Sequence, residues 1–262
     1  MNPKYKVTLG HAVSSENGTH DGKVGDQTGL ECRFQEWYNR SKGWTYVIRA
    51  KTSADRKKIA EGMIKIVRAN VGYSQNASKV FGRTSLYECT KPFGFDAEKY
   101  GGAAACDCSS AVAVAVNYAG IKVSKDMYTG NEKEVLMSTG KFKCYAAKKY
   151  TQSCENLKLG DILLGSGHTA IVCNVIYPIS RLLYITEEGT YGNDALALAT
   201  RLNELGYLQS YQYKNVEGNG HITLAVCKAL LNFQKKKKLQ IDGIVGKDTA
   251  TALGMLWTKD QS

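Results

Sequence analysis

The chain has 262 residues, 43% of them hydrophobic and 10% aromatic, enough to bury a large core in one or two domains and too many for a globally disordered chain. Lys and Arg outnumber Asp and Glu by 35 to 24, a formal charge of +11, which points to an anionic partner: nucleic acid, a membrane surface or an anionic cell-wall polymer. No segment approaches the ~20 apolar residues of a membrane span, and MNPKYKVTLGHA at the N-terminus has no apolar stretch of signal-peptide length, so neither membrane insertion nor a signal peptide is expected.

KYKVTLGHA and the alternating WTYVIRA (Trp44–Ala50) read as strands, with the Gly- and Asp-rich ENGTHDGKVGDQTG as a loop between them. Ser53 opens a helix whose apolar stripe is Ile59, Met63, Ile66 and Val67, with Gly72 as the stop. Residues 73–104 are irregular. SSAVAVAVNYAG, apolar on nearly every face and closed by Gly120, predicts a helix at the domain centre. A further helix over Asn131–Ser138 precedes three β-type runs from Leu157 onward, the last two joined by a tight turn at Pro178-Ile179. Helices followed by an antiparallel sheet give an α+β fold.

The pattern changes near Tyr191. Asp194 is placed to cap a helix carrying Leu198, Leu202 and Leu205. VEGNGHIT near 216–223 and IDGIVGKDT at 241–249 echo one another, which predicts a small helical module of two similar halves. The domains are therefore drawn as 1–190, including a lead segment 1–52, and 191–262. The basic run Lys235–Lys238 is a weak nucleic-acid signal and reads as a solvated loop or helix end.

Eight cysteines without a secretory signal read as reduced thiols. Cys106 and Cys108, in ACDCSS, could be half a metal site, a packing pair or a nucleophile. No second close Cys/His pair exists to complete a metal site, and no metal or cofactor is expected. If Asp107 is the N-cap, Cys108 is the first helical residue, where free backbone N–H groups favour a thiolate; Cys106 lies before the cap. A helix end supplies only ~0.3–1 kcal/mol, less than the ~1.4 kcal/mol of one pKa unit. An imidazolium ~4 Å away supplies ~4 kcal/mol at an effective dielectric near ~20, so a catalytic cysteine here requires a histidine.

Of the four histidines, His20 and His221 fall in surface-type contexts and His11 is a rival to His168. His168, in GSGHTAIV, has Gly165 and Gly167 beside it and leads into an apolar strand, which makes it the expected base. A hairpin turning at Pro178-Ile179 places 168, 170, 172 and 174 on one face with 187, 185 and 183. Glu187 is then the expected orienting group, with Asn174 in reserve.

DCSS opening an apolar helix, followed by LGDILL and GHTAIV, resembles the NlpC-type papain-like cysteine peptidases that cut bacterial peptidoglycan peptides. The resemblance implies Cys108 as nucleophile and His168 as base, Asp107 and Ser109 beside the substrate, and a site-lining tyrosine for which Tyr73 and Tyr100 compete. FQKKKKLQIDGIVGKDTATAL resembles the second half of a type 1 peptidoglycan-binding domain, a small three-helix module. GHA…ENG…GDQTG resembles the lead segment of lysins from Firmicutes phages and prophages.

Together these resemblances imply a bacteriolytic hydrolase, most simply a phage or prophage endolysin. Such an enzyme would cut the bond between γ-D-glutamyl and the diamino acid, with peptidoglycan as its partner and no nucleic acid. It would reach the wall after holin- or lysis-mediated release. An N-acetylmuramoyl-L-alanine amidase would use the same residues, and a non-catalytic wall-binding protein would use Cys108 only for packing.

Overall fold

The computed structural model describes residues 6–25, 31–176, 178–179, 183, 193–214, 216 and 222–257. They fold as two compact units, one spanning Val7–Val175 and the other built on Ile176–Ser262. Together the units mix helices with mainly antiparallel sheet.

The first unit is organised on a sheet of order β2-β1-β8-β7-β3-β6. Its strands are β1 (Lys6–Ala12), β2 (Cys32–Glu36), β3 (Tyr46–Ala50), β6 (Phe142–Tyr145), β7 (Ile162–Gly165) and β8 (His168–Ile176). Two short strands, β4 (Gly72–Tyr73) and β5 (Ala105–Cys106), pair in parallel beside it. The β7–β8 hairpin aligns Gly165 with His168 across its two-residue turn.

Ala111–Val116 in the Cys108–Tyr118 helix are completely buried, in one cluster with Ile48, Ile162 and Ile171 of the sheet. The apolar run thus sits at the centre, as its composition requires. The Ser53–Arg68 helix covers it with Ile59, Met63 and Ile66. The two helices touch through Gly62, where a Cβ would lie 2.9 Å from Ala115 Cα. This helix ends before the expected stop: Asn70 turns the chain with φ 52°, and Gly72 already belongs to β4.

The segment 73–104 is less irregular than its sequence implies. It holds three helices of four or five residues, at Ala77–Val80, Leu86–Thr90 and Ala97–Tyr100. Side chains of Asn76, Ser85 and Asp96 accept hydrogen bonds from backbone N–H groups of their first turns.

The Pro178-Ile179 turn is not formed. These residues make strand β9, paired in parallel with β10 (Leu256–Trp257). The place beside β8 is held instead by β1.

In the second unit the longer helices are Asn193–Glu204, Leu224–Lys236 and Lys247–Leu253, with a short one at Ser210–Lys214. Asp194 lies inside the first turn rather than before it. Phe233 is completely buried against Tyr207. Its neighbour Gln234 accepts from the Gly243 amide at 3.0 Å and donates to Asp242 Oδ1 at 2.8 Å and to the Ile244 carbonyl at 3.0 Å. One buried amide therefore holds the whole Asp-Gly turn, in which Gly243 takes φ 68°. Most of the first echo, 217–221, lies outside the described residues.

No helix among the described residues is long and apolar enough to cross a membrane, and none of their His, Cys, Asp and Glu groups could hold a metal ion.

Candidate active site

Cys108 is the first residue of its helix and Asp107 is the N-cap. Asp107 Oδ1 accepts from the Ser110 amide at 2.7 Å, and Ser110 Oγ accepts from the Asp107 amide at 2.8 Å, closing a capping box. Ser109 Oγ donates to the same carboxylate at 3.0 Å. Asp107 and Ser109 thus fix the helix start that presents the thiol.

The backbone of Thr169, the residue after His168 at the head of β8, acts on the Cys108 thiol and lowers its pKa. His168 Nε2 lies 2.9 Å from Nδ1 of His11 on β1. Trp44 stacks near His168 at 6.0 Å between ring centroids, and Arg40 lies over Trp44 at 5.1 Å while donating to the Ser166 carbonyl at 3.1 Å. Tyr73 is buried, and burial followed by the Cys108 charge raises its phenol. Tyr100 instead packs on Phe93 at 5.7 Å and donates to the Ala103 carbonyl. Of the two candidate tyrosines, Tyr73 is the one whose electrostatics register Cys108.

The side chain in contact with His168 comes from a strand that the sequence pattern does not place there. Asn174 is exposed, and six residues along a strand is roughly 20 Å, too far to reach the ring. Glu187 lies outside the described residues. His11, only 1% exposed, makes the contact from the neighbouring strand.

The expected thiolate is not the resting state. Burial, then Asp107, pushes the Cys108 thiol up to about 12, outweighing the backbone hydrogen bonds from Thr169 and Ser109 that lower it. Burial, then Arg40, holds His168 down at about 4. Burial, then His168 and Arg33, holds His11 down at about 3. Near neutrality the Cys108 thiol and both imidazoles are neutral.

Glu132 is a further member with no motif to mark it. It opens the Glu132–Ser138 helix, is completely buried, and burial holds its carboxyl up at about 8. Proton counting gives the same state. Thr169 Oγ1 lies 2.7 Å from Glu132 Oε1 and 3.1 Å from the Leu163 carbonyl oxygen. One hydroxyl has one hydrogen to donate, so both contacts are satisfied when Glu132 donates to Thr169 and Thr169 donates to Leu163. The other carboxyl oxygen, Oε2, is buried without a hydrogen-bond partner, which a neutral acid tolerates far better than a carboxylate.

Compared with known proteins, residues 9–175 match the family model described as an endolysin-like domain, and residues 191–253 match that of a type 1 peptidoglycan binding domain. No curated protein and no solved structure gives a significant match. The first match spans well over half of the chain, which therefore belongs to the endolysin-like domain family. With its C-terminal domain it is an endolysin-like, cell-wall-acting protein whose substrate is peptidoglycan.

Proposed function

We propose that the protein is a cysteine hydrolase of papain-like type that cuts an amide bond of the peptidoglycan stem peptide through Cys108, His168 and His11. The observation that carries this reading is the 2.9 Å contact between His11 Nδ1 and His168 Nε2, next in sequence to Thr169, whose backbone acts on the Cys108 thiol.

With Nε2 engaged, Nδ1 of His168 is the nitrogen left for the thiol proton. As Cys108 Sγ attacks the carbonyl carbon, the S–C bond forms, the carbonyl electrons move to oxygen and the thiol proton passes to His168. The imidazolium then donates Nε2–H to His11, which accepts because it stays neutral above about pH 3. His168 next protonates the leaving amine as the C–N bond breaks. Finally it takes a proton from the water that attacks the thioester and returns it to the Cys108 sulfur as the C–S bond breaks. The backbone N–H of Cys108 would hold the oxyanion, and Asp107 and Ser109 keep that helix start in place.

The bond proposed is that between γ-D-glutamyl and the diamino acid. Mass spectrometry of peptidoglycan digested by the full chain tests this: fragments with a new diamino-acid amino terminus support it, and fragments with a new N-terminal L-Ala would make the protein an N-acetylmuramoyl-L-alanine amidase. Release from the host cytoplasm by a holin or by lysis completes the proposed course.

A further inference from the structure

Cys106 takes no part in the chemistry above, yet its sulfur lies 3.6 Å from that of Cys32, and both side chains are completely buried in the same core cluster. A disulfide needs about 2.05 Å between sulfurs, an approach of about 1.5 Å. The two thiols are 74 residues apart in sequence and come from segments that matter to the site. Cys32 on β2 pairs with Ala12, one step from the His11–Arg33 pair. Cys106 on β5 stands two residues before Cys108.

We propose that Cys32 and Cys106 form a covalent cross-link under oxidising conditions, tying the strand pair that carries His11 to the segment that carries Cys108. With oxidised glutathione as oxidant, one cysteine sulfur attacks the glutathione disulfide and releases one glutathione thiol. The second cysteine sulfur displaces the other glutathione, so the pair loses two protons and two electrons and two glutathione thiols are formed. Thiols stay reduced in the cytoplasm, whereas peptidoglycan lies outside it. The contact with Cys32, then burial, raises the Cys106 thiol, so exchange in the folded protein is slow and the bond is set most readily during folding. That the link steadies the site rests on the proposed hydrolase; the link itself does not, because it is read without turnover.

The test refolds the full chain from urea in glutathione buffers of increasing oxidised fraction, blocks free thiols and maps peptides by mass spectrometry without reduction. The expected result is loss of two of the eight free thiols, a linked peptide pair containing Cys32 and Cys106, and full retention of the remaining thiols in Cys32→Ser and Cys106→Ser. The oxidised protein should melt about 5–10 °C higher than the reduced one, given the long loop closed. Full alkylation of both cysteines at the most oxidising ratio, or a Cys106–Cys108 link in place of the expected one, would overturn the proposal.

Discussion

His11 and His168 stand 157 residues apart in the chain, yet their ring nitrogens meet at 2.9 Å because β1 lies beside β8 in the sheet. In the proposed mechanism this contact lets β1 supply a neutral acceptor to a histidine that carries charge only transiently. His11→Ala should therefore lower kcat by on the order of 10²-fold with little change in KM. His11→Asn, which can place an oxygen near the lost Nδ1, should recover part of the rate. Steady-state kinetics on a soluble stem-peptide substrate checks this, and a His11→Ala enzyme of undiminished kcat would remove His11 from the mechanism.

The acid side of the pH profile follows from the same burial. His168 is held at about 4, so the proposed base remains neutral well below the ordinary imidazole range. The acid limb of kcat/KM should fall near pH 4. A limb near 6.5 would mean that His168 is solvated in the working enzyme.

Stability should peak near pH 6.5, because two sets of buried groups pull in opposite directions. His11 and His168 have folded pKa values depressed below 6.5, so the unfolded chain binds protons first and stability is lost as pH falls from 6.5 towards 4. Glu132 has a folded value raised from 4.5 to about 8, so the folded state binds its proton more tightly and stability is lost as pH rises from 4.5 to 8. Between 4.5 and 6.5 two histidines outweigh one carboxyl, and above 6.5 Glu132 acts alone. Glu132→Gln, which still donates to Thr169, should gain stability over the parent at pH 8 and lose that advantage by pH 4.5. Parallel denaturation profiles for the two proteins would contradict the neutral, buried Glu132.

Gly62 sets how closely the two core helices approach. Ala at this position gains up to ~1 kcal/mol of helix propensity but forces its Cβ against Ala115 Cα at 2.9 Å, an overpacking that costs about 1–3 kcal/mol. The clash wins, so Gly62→Ala should destabilise by about 1 kcal/mol and Gly62→Val by more, as read by urea unfolding. A stabilised Gly62→Ala would mean that the helices separate at little cost.

What the sequence reveals and what it hides divide along the distance over which each signal acts. The place of Cys108 at a helix start is legible because Asp107, Ser110 and the apolar run to Val116 are local: capping and periodicity are written within one helix. The Phe233-Gln234 pair is likewise legible, and the structure adds why the glutamine is there. Strand neighbours are not local. The alternation in β8 tells which residues share a face but not which strand lies alongside, so it gives no sign that β1 lies there and brings His11 to His168. Glu132 opens a seven-residue helix and carries no motif; its burial appears only once Thr169 is packed against it. The helices of 73–104 are too short for periodicity and show themselves only through their caps.

Gln234 should matter to wall attachment rather than to chemistry. Gln234→Ala leaves the Gly243 amide and the Ile244 carbonyl without their buried partner, at about 1–3 kcal/mol for each group left unsatisfied. Sedimentation of the variant with purified cell walls should fall while turnover of a soluble stem-peptide fragment holds. Equal loss of both would show that this turn supports the whole chain.

The most direct measurement is release of peptide fragments from purified peptidoglycan by the parent protein, Cys108→Ala and Cys106→Ala at equal concentration, quantified by mass spectrometry. Cleavage should vanish in Cys108→Ala and persist in Cys106→Ala; cleavage retained in Cys108→Ala would contradict a nucleophile at the start of this helix.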